Sequence, residues 1–145
     1  MKRKLYVFLS FLVVLLVLTC VWVPYSHSKN YIQNYIRKNA DELTDYADKT
    51  IETRPTQSSR YHGWEVSYYD TTNMVQFIVF GWGLVPSTKY RGFFYSPDDI
   101  PLGFQGTTVE FEPSGNGWVW EEEQGDNRQY VEKIVDCWYW FEMEF

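Results

Sequence analysis

The sequence predicts an α+β fold: an N-terminal transmembrane or signal helix, then one amphipathic helix packed on an antiparallel β-meander. Three observations carry this. An uncharged apolar run, Leu5–Val23, lies near the start of the chain. Apolar residues then recur at helical spacing to about residue 52, and at a period of two from about residue 63. Turn-forming clusters separate the alternating segments, as they do between antiparallel neighbours.

The apolar run is about the 20 residues that a helix needs to cross a bilayer. Lys2, Arg3 and Lys4 directly precede it. A signal-anchor is favoured, because a cleaved signal peptide has a shorter apolar core, usually about 7–15 residues. Ser26 and Ser28 nevertheless have the spacing of a signal peptidase site, which keeps secretion after cleavage as the alternative. A lipoprotein would use Cys20, but Val17-Leu18-Thr19 lacks the small residue expected before it. The basic N-terminus stays in the cytoplasm by the positive-inside rule, so either version puts the rest outside. Residues 1–27 are thus the anchor or signal segment, and residues 28–145 an extracytoplasmic domain at a cell membrane.

That remainder suffices for one small domain. Aromatic residues make up 20% of the chain, and such side chains favour strands and bury large areas. A net charge of −6 argues against nucleic acid, which needs a basic footprint. Cys20 lies in the apolar run, leaving Cys137 alone in the domain. No internal disulfide is then available, and Cys137 is expected to be a buried thiol.

The helix is expected over about residues 28–52. Ile32, Ile36, Leu43 and Ala47 share one face, while Arg37/Asp41, Lys38/Glu42 and Asp45/Lys49 pair at i, i+4 on the other. Pro24 breaks any continuation from the apolar run, and Arg54–Ser59 reads as a linker. Strands follow over about residues 63–145. Trp64, Val66 and Tyr68 alternate, Asp70–Asn73 turns, and Met74–Phe80 reads as a strand covered on both faces. A third strand runs near Tyr90–Tyr95, followed by a long loop, Ser96–Gly103. Alternation at Val109 and Phe111, at Trp118–Glu122, and in one last segment ending in Tyr139, Phe141, Met143 and Phe145 completes the set.

Candidate sites are aromatic and acidic. Trp118 and Trp120 share one strand face, as do Trp138, Trp140, Glu142 and Glu144. Aromatic rings beside carboxylates can stack on a sugar and hydrogen-bond its hydroxyls. The competing role is core, since tryptophans also cover a sheet beneath a helix. At least one of the two pairs is expected to be exposed as the contact surface. Glu121-Glu122-Glu123 cannot converge on a cation, because neighbours on a strand point to opposite faces, and Asp98-Asp99 lacks the spacing of a calcium loop. No metal or cofactor site is expected. His62 and Cys137 are the only pair in the domain from which a thiol nucleophile and its base could be built. No phosphate loop, nucleotide fingerprint or zinc spacing is present.

The reading is a bacterial-type exported or membrane-anchored domain without catalytic activity, which binds a protein or an envelope glycan through its aromatic strands. One alternative is an enzyme acting on envelope polysaccharide with a carboxylate pair. Another is a structural subunit of a membrane complex.

Overall fold

The computed structural model describes residues 11–13, 28–84 and 87–145. The expected membrane segment, residues 5–23, lies outside them except for Phe11–Val13, which are helical and exposed. Among the described residues no helix is long and apolar enough to cross a membrane. The chain divides into two compact units, Met1–Ile32 and Gln33–Phe145.

The expected single helix is two. α1 spans Lys29–Lys38 and α2 spans Ala40–Thr53. Asn39 makes the break: its side-chain amide donates to the Tyr35 carbonyl at 2.7 Å, and its φ/ψ of −123°/24° lies outside the helical range. Asparagine competes for its own backbone in this way, so it ends helices readily. α2 stops at Arg54, which takes a left-handed conformation and returns its N–H to the Thr50 carbonyl, just before Pro55. Ile32, Ile36, Leu43 and Ala47 are all fully buried, as their spacing predicts.

The rest is α+β with one antiparallel sheet of eight strands, in the order β1-β2-β3-β4-β8-β7-β6-β5. The strands are β1 (Ser59–Tyr61), β2 (Trp64–Tyr69), β3 (Met74–Leu84), β4 (Ser87–Tyr95), β5 (Glu112–Ser114), β6 (Gly117–Glu121), β7 (Arg128–Val135) and β8 (Trp138–Glu144). This is not one meander but two, β1–β4 and β5–β8, joined in the middle where β4 pairs with β8. The linker read at Arg54–Ser59 ends in β1, which turns into β2 through His62 and Gly63, both at positive φ, as a two-residue hairpin requires. The alternation at Val109 and Phe111 is loop, not strand, up to Glu112. The expected last segment is a hairpin, β7–β8, turning at Asp136-Cys137.

Register sorts the side chains onto two faces. Val66, Phe77, Phe93 and Trp140 lie in one cross-strand row. Helix α2 packs over this face: Trp138 Nε1 donates to Thr44 Oγ1 at 3.1 Å, and the Tyr46 ring lies 6.0 Å from Phe77. Phe77 and Phe93 stack at 4.6 Å. The opposite face carries Met74, Phe94, Val131, Tyr139, Phe141 and Met143. It is covered by the crossover loop between β4 and β5, which buries Leu102 and lays Phe104 and Phe111 on the cluster. Two buried glutamines hold that loop. Gln76 accepts from the Gln105 N–H at 2.9 Å; Gln129 accepts from Phe104 N–H at 2.7 Å and donates to the Leu102 carbonyl at 3.2 Å. Burial leaves these amides no water, so each is matched to a loop peptide group.

Candidate contact surface

The four tryptophans do not share a surface. β8 is buried on both faces: Trp138 and Trp140 are 1% and 0% exposed beneath the helices, and Tyr139 and Phe141 are equally buried beneath the crossover loop. Trp138 and Trp140 are therefore core, which corrects the expectation of a contact role for them. The reason is the central place of β8 between β4 and β7. Trp118 and Trp120 lie on the other face, half-buried against the loop-covered cluster. A groove of about 190 Å³ opens beside Trp120, lined by Phe104, Thr107, Asn127 and Met143. That is small for a ligand site, which commonly runs to several hundred Å³.

Glu142 and Glu144 do reach the surface, on the helix-covered face where that cover ends. Each is answered across the sheet. Lys89 Nζ lies 2.7 Å from Glu144, Arg91 Nε lies 3.6 Å from Glu142, and Arg128 Nε lies 3.0 Å from Glu121. Glu142 also accepts from Trp140 Nε1 at 3.1 Å. Register brings Arg128 opposite Glu121. The Lys89 hydrogen bond holds the Glu144 carboxyl below its usual range. These pairs are half-exposed, and exposed pairs contribute little stability, about 0–1 kcal/mol each.

Beside this ladder lies an apolar strip that sequence reasoning missed. Phe80, Trp82 and Leu84 are 43%, 71% and 87% exposed. A bulge between Ile78 and Phe80 shifts the register, so that Phe80 opposes Arg91 and Trp82 opposes Lys89. Without the extra residue Phe80 would point to the loop-covered face; with it, Phe80 and Trp82 join the row of paired charges. The signal was present in Phe80-Gly81-Trp82-Gly83-Leu84, where large apolar residues alternate with glycine. β3 runs past its β2 partner here, since the β2 register ends at Ile78. The hairpin therefore projects beyond β2 on that side.

The polar cluster at the β7–β8 turn is a clamp. Asp99 accepts from Lys133 Nζ at 2.6 Å, from the Cys137 N–H at 2.8 Å and from the Tyr139 hydroxyl at 3.0 Å. The Lys133 bond keeps the Asp99 carboxyl ionised below its ordinary range. Cys137 is half-buried rather than buried, at φ 64° in the turn. Burial, and then the Asp99 and Asp136 carboxylates, push its thiol pKa up. That is the wrong direction for a nucleophile. His62 is on the β1–β2 hairpin, stacked on Tyr61 at 4.4 Å, and faces Tyr35 Oη at 3.4 Å. Among the described residues no three His, Cys, Asp or Glu side chains gather to hold a metal. The cleft beside Arg60 and the one beside Tyr90 each have Glu65 as their single carboxylate, and the Trp120 groove has none.

No protein-family model, curated protein or solved structure matches this chain.

Proposed function

We propose that the domain is a non-catalytic interaction module of the cell envelope, tethered or exported through residues 5–23, with its contact surface on the β3–β4 hairpin. The observation that carries this is the exposed strip of Phe80, Trp82 and Leu84 beside a ladder of paired charges. Large apolar side chains grouped on one projecting element and rimmed by polar residues are the usual mark of a contact site. The enzyme alternative has less support. A polysaccharide hydrolase needs two carboxylates facing one cleft, one of them with a raised pKa. Glu142 and Glu144 are each paired with a cation, and the Glu144 pKa moves down.

Two experiments test the reading. A photo-crosslinking residue at position 82, in cells expressing the full chain, should give adducts that the same residue at position 116 does not. Equal yields, or none at either position, would remove the contact surface. A reporter active only after export, fused after Phe145, should be active; activity from a reporter that works only in the cytoplasm would reverse the topology.

A further inference from the structure

We propose that the partner of the hairpin strip is the bilayer surface itself: Trp82 and Leu84 seat at the boundary between headgroups and acyl chains. This rests on the anchored reading of residues 5–23.

The strip has the composition of an interfacial anchor. Tryptophan is enriched at membrane–water boundaries, where its ring is apolar and its indole N–H stays wet. Trp82 and Leu84 are the most exposed large apolar residues of the hairpin. The bulge aims Phe80 and Trp82 to one side, and glycines alternate with them along β3.

Charge distribution points the same way. The chain has 19 acidic residues, yet none lies in residues 71–97 and none in residues 1–40. The two acid-free stretches are the hairpin with its flanks and the apolar run with its flanks. The hairpin brings only cations, Lys89 and Arg91, whose partners come from β8. Nothing on the hairpin itself repels an anionic lipid surface.

Chain length supplies the third argument. Ten residue steps separate Val23 from Gln33, the first residue of the larger unit. Even fully extended they span at most roughly 35 Å. A bilayer-held run therefore keeps the domain at high effective concentration against lipid, and a weak second contact is enough.

The test uses the full chain in vesicles of phosphatidylcholine and phosphatidylglycerol. Leu84→Cys, with Cys20→Ser and Cys137→Ser, carries a nitroxide label; Asn116→Cys in the same background is the reference. Label 84 should collide preferentially with oxygen, which partitions into lipid, and label 116 with a water-soluble nickel chelate. Preference for nickel at 84 overturns the proposal. Protection from both reagents at 84 also overturns it, because a protein surface, such as a second copy of this chain, then covers the strip. Alkaline carbonate extraction reads the anchor separately: release of the chain defeats the anchored reading, while label 84, measured at neutral pH, still decides the hairpin.

Discussion

Asp99 shows how a single side chain can organise two distant segments. It sits at φ 53° in the crossover loop and ties that loop to the β7–β8 turn through Lys133, Cys137 and Tyr139. Its carboxyl pKa is lowered in the fold. The unfolded chain therefore takes up its proton first. The stabilisation is present above the ordinary carboxylate value, about pH 4, and is lost as pH falls through the lower folded value. Asp99→Asn should lower the melting temperature at pH 7, and the gap from the unsubstituted chain should close as pH falls below that ordinary value. A gap that stays constant with pH would mean that the charge is not what matters. Cys137 in the same cluster should react slowly with an alkylating agent in the folded chain and fast once denatured; rapid native labelling would contradict its raised pKa. The loop that carries Asp99 was legible in the sequence. The clamp was not, because its partners lie more than thirty residues away and no local pattern links them.

At the level of elements, the sequence was most informative where a period was long and unbroken. The buried face of the helices was legible because four apolar positions repeat over four turns; the break at Asn39 was not, since one asparagine inside a helical pattern is common. The β7–β8 hairpin was hidden for a related reason. Its turn uses Asp136 and Cys137 rather than glycine or proline, and Cys137 is held in its left-handed conformation by Asp99 from outside the hairpin. The burial of Trp138 and Trp140 was not legible, because alternation states which residues share a face but not what covers it. Trp138→Ala should therefore cost about 3–5 kcal/mol in chemical denaturation, as a core truncation, while Trp82→Ala should change stability by less than about 0.5 kcal/mol, as a surface one. Comparable losses for both would place the strip in the fold rather than on a surface. Gly92 is a second element-level test. A Cβ there would strike the Phe77 carbonyl and come within 2.9 Å of the Phe141 ring. Gly92→Ala should cost about 1–3 kcal/mol by overpacking the β4–β8 seam; a neutral result would show that both the Phe77 carbonyl and the Phe141 ring can give way.

The sheet as a whole is held by aromatic burial on both sides, and its tyrosines give that a pH signature. Burial pushes the Tyr95 and Tyr130 hydroxyls up to about 12 from 10.0. A raised folded pKa keeps its stabilisation below the unfolded value and loses it as pH rises through the folded one. Thermal midpoints should thus hold up to pH 10 and fall between pH 10 and about 12; a flat alkaline limb would mean these hydroxyls are solvated. The two-meander topology has a further consequence, concerning timing. β8 is the last strand of the described chain, yet it occupies the middle of the sheet. Until residues 138–144 are in place, β4 presents an open edge bearing Phe93, Phe94 and Tyr95, which is an invitation to pair with another chain. The domain cannot be finished piecemeal from its front end. A chain leaving the ribosome would have to be kept from its neighbours until residues 138–144 emerge, so any folding assistant would be needed late, at the seam between the two halves.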